Sequence, residues 1–181
     1  KEDIENIIAT AKKEFGRVDA LVHMAATYEE VPFENLDEDT FYRSMDVIAK
    51  SAFLFGKLAG DEMLKNAGDV KGKMIFFSDW SVLHRPFKNY LPYNTAKSAV
   101  VGLTKSFAKE LAPGILVNAI APGPILMPPD FTKEERDCAL EGTLLKRWGG
   151  ADEIAKGVCY LLESDFITGQ VLTIDGGRTI A

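Results

Sequence analysis

The sequence predicts an α/β domain: a parallel sheet covered by helices on both faces. Two observations carry this prediction. Short apolar runs of strand length contain no polar alternation, which marks strands buried on both sides. Between them lie longer segments whose apolar residues recur at helical spacing, and the two kinds of segment alternate along the chain. No internal repeat, low-complexity stretch or linker interrupts the pattern, so a single domain over residues 1–181 is expected.

Lys1 to Phe15 reads as a helix, with Ile4, Ile7, Ile8, Ala11 and Phe15 forming one apolar stripe and Gly16 placed to end it. Val18 to Ala26 contains a buried strand. Asp39 to about Leu64 is one long helix, carrying Phe41, Met45, Ile48, Phe55 and Leu58. Lys73 to Phe77 is a second buried strand. Pro92 to Leu111 is a second long helix, with the proline tolerated in its first turn. Ile115 to Ile120 is a third strand. Pro122 to Gly150 reads as a long loop with a short helix after Thr132, because Thr132 and Glu135 have capping-box spacing. Asp152 to Leu162 is a helix, and Val171 to Ile174 is the last strand.

Composition excludes several function classes. The 181 residues carry a net charge of −6 without a block of like charges, which argues against nucleic acid or an anionic membrane as partner. No apolar run reaches the ~20 residues that span a bilayer. The two cysteines, Cys138 and Cys159, form no motif, and with only two histidines, His23 and His84, no metal site is expected. A reducing, cytoplasmic setting fits this cysteine usage.

The strongest chemical signal is Tyr93-Asn94-Thr95-Ala96-Lys97 at the start of a helix. Tyr93 and Lys97 are one helical turn apart and share a face. A phenol ionises near pH ~10, and an ammonium beside it favours the phenolate. Such a pair can move a proton to or from a carbonyl or hydroxyl oxygen. By itself the spacing is common by chance and more often describes an ordinary helix face.

Its surroundings add weight. Phe76-Phe77-Ser78-Asp79 ends the strand upstream. Val117-Asn118-Ala119-Ile120-Ala121-Pro122-Gly123-Pro124 closes the strand downstream, and Ile167-Thr168-Gly169-Gln170 leads through the last strand to Asp175-Gly176-Gly177. In this order, and together with Phe15-Gly16-Arg17-Val18-Asp19-Ala20-Leu21-Val22, these segments resemble the short-chain dehydrogenase/reductase (SDR) family along essentially the whole chain. The resemblance implies a Rossmann-like, doubly wound parallel sheet and an NAD(P)-dependent oxidoreductase using NADP(H) or NAD(H). It implies Tyr93 as general acid/base, with Lys97 holding the nicotinamide ribose and lowering the Tyr93 pKa. The turn Pro122-Gly123-Pro124-Ile125 then flanks the nicotinamide, with backbone groups of Ile125 reaching its carboxamide. Ligands of such sheets bind beyond the carboxyl ends of the strands, which agrees with these positions. The family's members commonly form homodimers or homotetramers through their long helices.

The chain also departs from the family. Asp79 stands where the family has a substrate-positioning serine, as in pteridine reductases, with a loop before Tyr93 that is one residue longer; Ser78 and Ser81 remain alternatives for that role. His23-Met24-Ala25-Ala26 replaces the family's Asn-Asn-Ala-Gly. Ala25 and Ala26, following Met24, leave room for a cofactor, and His23 reads as a hydrogen-bonding structural substitute. Ile48 aligns with the family's proton-relay asparagine and Met127 with a threonine that contacts the carboxamide. Trp80, Phe87, Tyr90, Phe131 and Trp148 could form a flat aromatic wall for a small-molecule substrate, or equally serve as core or subunit contacts. Nothing before His23 resembles a glycine-rich phosphate loop, so the chain is expected to be the C-terminal two-thirds of an SDR-type fold lacking its first strands. The alternative reading is a non-catalytic nucleotide-binding or scaffold homologue, or an inactive fragment.

Overall fold

In a computed structural model, residues 1–127, 129 and 131–181 are described. The helices are α1 (Glu2–Phe15), α2 (Glu38–Ser44), α3 (Ser51–Met63), α4 (Trp80–Leu83), α5 (Leu91–Leu111), α6 (Lys133–Glu141) and α7 (Ala151–Glu163). The strands are β1 (Ala20–His23), β2 (Gly72–Phe77), β3 (Ile115–Pro122) and β4 (Val171–Ile174). They form one four-stranded sheet in the order β1-β2-β3-β4. Every pairing is parallel: Leu21 lies opposite Met74, Met74 opposite Val117, and Ala119 opposite Val171.

The core forms on both sheet faces, because successive side chains of a strand point in opposite directions. Met74, Phe76, Ile115, Val117 and Ala119 pack with Ile48, Ala52, Ala59, Met63, Ala96 and Val100 from the α3 and α5 side. Ile75, Phe77 and Ile120 face the other way and pack with Ile154 and Leu161 of α7. Helices thus cover both faces, as the continuous apolar strands require. The other side of β1 carries no strand among the described residues. No helix of the described residues is long and apolar enough to cross a membrane.

Polar residues pin the connections. Asn118, buried within β3, donates to the Ile167 carbonyl at 2.8 Å and accepts from the Gln170 amide at 3.0 Å. Thr168 accepts from the Val117 amide at 3.0 Å. The Asn118 and Thr168 positions of the two motifs are therefore halves of one joint that locks the approach to β4 against β3.

Two elements differ from the sequence-based expectation. The helix expected over Asp39–Leu64 is interrupted by a π-helical segment, Met45–Lys50, between α2 and α3. Side-chain competition at its end gives a reason: the Ser51 hydroxyl donates to the Val47 carbonyl, drawing on a backbone acceptor inside the turn. His23 Nε2 lies 2.9 Å from the same hydroxyl, so the end of β1 is tied to this widened turn. The short helix α4 was not anticipated. It exists because Asp79 caps it, accepting from the Ser81 amide at 2.8 Å. In the long loop, α6 starts where the Thr132/Glu135 capping box predicts; Pro128 and Asp130 of that loop lie outside the described residues.

His23 is 5% exposed, and its pKa is lowered to about 4 by burial, with the Lys97 charge adding to the effect. In the unfolded chain an imidazole takes its proton near pH ~6.5. The unfolded state therefore binds more protons between these two values, and stability falls as pH falls through that window. We predict that His23→Asn, which keeps a hydrogen-bonding group but cannot titrate, flattens this acid-side loss. Urea unfolding at pH 7 and pH 4.5 measures it; equal pH dependence in both proteins would contradict the assignment.

Candidate functional site

Because all four strands run in one direction, their carboxyl ends meet along one rim, where ligands of open α/β sheets bind. A cavity of about 360 Å³ lies at this rim. Ala26 and Tyr28 come from beyond β1, Asp79 and Trp80 from beyond β2, and Pro122 to Leu126 from the end of β3. Phe87 comes from the connection between α4 and α5 and Tyr93 from the start of α5; Ala139 comes from α6, Phe131 and Trp148 from the segments on either side of it, and Arg178 from beyond β4.

The chemistry centres on Tyr93 and Asp79. The Tyr93 hydroxyl donates to the Asp79 carboxylate at 2.7 Å. The other oxygen of Asp79 caps α4, so one side chain both ends the turn and holds the phenol. Ser78 and Ser81 do not line the cavity. The Ser78 hydroxyl donates to the Lys97 carbonyl at 3.0 Å and ties β2 to α5, and Ser81 is fully buried.

Lys97 lies behind Tyr93, with its ammonium 5.8 Å from the ring centroid. It is 4% exposed and donates to the Phe77 carbonyl at 2.8 Å. Burial lowers its pKa to about 8, and the Asp79 carboxylate opposes that shift. Tyr93 is pushed well above the ordinary phenol value, first by burial and then by the charge and hydrogen bond of Asp79. The expected lowering of the Tyr93 pKa by Lys97 is therefore outweighed in this arrangement. The phenol thus keeps its proton at neutral pH.

Of the residues singled out from sequence, Ala26, Asp79, Tyr93, Pro122, Gly123 and Ile125 line the cavity, while Met24, Ala25 and Lys97 do not. Met24 is 59% exposed on the rim beside Ala25, and Lys97 sits behind the wall. Ile48 is buried in the core within the π-helical segment. Met127 is exposed, outside the cavity. Four of the five candidate aromatics line the cavity: Trp80, Phe87, Phe131 and Trp148. Tyr90 instead stacks on Tyr28, with centroids 4.5 Å apart, and Tyr28 meets Tyr93 edge-on at 5.0 Å.

Sequence reasoning missed Tyr28 and Arg178. Both lie just past the carboxyl end of a strand, and that position is the signal that could have found them. Gly123 is required for a spatial reason. A Cβ there would stand 2.6 Å from the Asp175 Cα, so the turn leaving β3 rests directly on the turn leaving β4.

Asp79 supplies part of the upward push on Tyr93, so Asp79→Asn should let Tyr93 ionise at lower pH, while the burial contribution persists. Tyrosinate absorbance followed against the Asp79→Asn/Tyr93→Phe double variant isolates this group. An onset at or above that of the unsubstituted protein would show that Asp79 does not hold the phenol proton.

Comparison with known proteins agrees with this architecture. The family model described as enoyl-(acyl carrier protein) reductase matches residues 1–179. The dihydromonapterin reductase of Enterobacter sp. (strain 638) is 33% identical over 180 residues, covering 99% of this chain and 74% of its own. Dehydrogenase/reductase SDR family member 4 of Homo sapiens is 33% identical over 189 residues, covering 97% of this chain and 65% of its own. A solved structure described as a dehalogenation enzyme superposes with a TM-score of 0.89 at 30% identity, covering 96% of this chain and 74% of that one. The chain thus spans 65–74% of the length of these proteins. With nearly every residue matched by the family model and by named reductases, the chain belongs to the short-chain dehydrogenase/reductase family, a family of oxidoreductases.

Proposed function

We propose that the protein is an NAD(P)-dependent reductase in which Tyr93 gives a proton to a carbonyl or imine substrate held at the strand-end cavity. The observation that carries this reading is the Tyr93–Asp79 hydrogen bond, with the buried Lys97 ammonium behind it. NADP(H) or NAD(H) is the implied cofactor, and the residues fit one. Lys97 has three N–H donors, and Phe77 accepts one, which leaves two for a pair of ribose hydroxyls. Ala25 and Ala26 are small and exposed beside Met24, and Pro122, Gly123 and Ile125 border the same rim. When bound, the nicotinamide supplies the hydride.

On this reading the substrate oxygen or nitrogen replaces Asp79 as acceptor of the Tyr93 proton. As negative charge develops on that atom it becomes a stronger acceptor than the carboxylate. The phenolate left behind is stabilised by the Lys97 ammonium, which persists below about pH 8. Tyr28, Trp80, Phe87 and Trp148 surround the cavity with ring faces and edges, which suits a planar substrate. The dihydromonapterin reductase name among the relatives points the same way.

Tyr93→Phe tests the reading. It removes the proton donor and keeps the ring, so turnover of a dihydropterin or an aromatic aldehyde with NADPH should fall by about 100-fold or more, with little change in KM. Turnover unchanged by this substitution would sink the role of Tyr93. Specific nucleotide binding with no turnover across such a panel would instead support a non-catalytic homologue.

A homodimer or homotetramer in the cytoplasm completes the proposal. The described cysteines, Cys138 and Cys159, are unpaired, which suits a reducing compartment. Exposed Tyr42, Phe53 and Leu91 on α2, α3 and α5 offer apolar surface for assembly. Sedimentation at micromolar concentration should give at least a dimer; a monomer would count against it.

A further inference from the structure

Arg178 is a cation on the cavity wall that the mechanism above does not use. It projects from the turn after β4, which Asp175 fixes by accepting from the Gly177 amide at 2.9 Å and from the Thr179 amide and hydroxyl at 2.6 Å each. Its guanidinium carbon lies 4.9 Å from the centre of the Trp80 ring, and Trp80 is the sequence neighbour of Asp79. The head is cradled on its other side: a Cβ at Gly142 would stand 2.6 Å from Arg178 Nη1. Nη1 donates to the Ala139 carbonyl, a neutral acceptor. No carboxylate of the described residues lies within 4.0 Å of it as an ion pair. Glu134 and Glu135 border the outer cleft beside it, but the Glu135 carboxylate is engaged by the Thr132 amide.

A guanidinium has five donors in a planar fork, and its natural partner is a carboxylate or another flat anion. Contact with the Trp80 ring and the bond to Ala139 position this fork while leaving donors uncommitted. Asp79, at the same cavity, would repel an anion placed beside it, so the two charged groups polarise the site. We propose that Arg178 is the anion-recognition residue of the cavity, and that the substrate is a planar carbonyl or imine compound bearing a carboxylate. The donor Tyr93 would act at one end of such a molecule and Arg178 would hold the other. This inference rests on the reductase reading for the identity of the reacting group, but not for the anion preference.

The test separates the two. Benzoate and its neutral isostere benzamide are titrated into the protein while the fluorescence of Trp80 and Trp148 is followed. Benzoate should bind at least ~10-fold more tightly than benzamide, the scale of one hydrogen bond to a charged group. Arg178→Gln should weaken benzoate by a similar factor and leave benzamide unchanged, which also reports that the cavity has survived. If Gln weakens both probes, Arg178→Lys decides: a retained preference for benzoate supports the proposal and equal affinities overturn it. Equal binding of both probes by the unsubstituted protein would overturn it outright. So would an unchanged benzoate affinity in Arg178→Gln accompanied by a raised KM for NADPH, which would assign Arg178 to the cofactor. Turnover of 3- and 4-formylbenzoate against their methyl esters, with and without Tyr93→Phe, is read separately. Turnover insensitive to Tyr93→Phe defeats the reductase reading alone, and a benzoate preference that persists there still stands.

Discussion

Parallel pairing is the constraint on which this structure depends. Four strands pointing the same way cannot be joined by tight turns, so each must be followed by a crossover that returns along one sheet face or the other. Two consequences follow together. Helices cover both faces, which is why Met74 and Phe76 find one core while Ile75 and Phe77 find another. All the strand exits also fall on a single rim, so residues far apart in sequence, from Ala26 to Arg178, border one cavity. The site is a product of strand direction before it is a product of any side chain.

That rim is held together by close backbone approach as much as by chemistry. The exit of β3 at Gly123 lies against the exit of β4 at Asp175, at a distance no Cβ could share. Asp175 in turn organises the final turn through three hydrogen bonds and so presents Arg178. A residue that contacts neither Tyr93 nor Asp79 thereby controls where two walls of the cavity stand.

Much of this was legible in the sequence, and what was not has physical reasons. The strands were readable because burial on both faces leaves unbroken apolar runs such as Met74-Ile75-Phe76-Phe77. The start of α6 was readable because Thr132 and Glu135 cap it through local hydrogen bonds. The π-helical break near Ile48 was not, since it involves Ser51 and a partner, His23, that is remote in sequence. Asp79 was visible as a substitution, but two local serines competed for its role. Only the fold turns Ser78 toward the Lys97 carbonyl and buries Ser81, leaving Asp79 on the cavity. Tyr28 and Arg178 carry no local motif, and only the convergence of strand ends gives them meaning.

The electrostatics of the centre are a contest that the sequence alone would have decided the other way. Spacing on one helix turn suggests that Lys97 governs Tyr93, yet Lys97 is drawn back to the Phe77 carbonyl and itself pays a desolvation cost. Asp79 is nearer, directly bonded to the hydroxyl, and burial acts in the same sense, so the phenol is held neutral. In that state the group holds its proton at neutral pH. On the proposed reading, Asp79 keeps the proton on Tyr93 until a substrate atom becomes basic enough to take it, and Lys97 then meets the charge that remains.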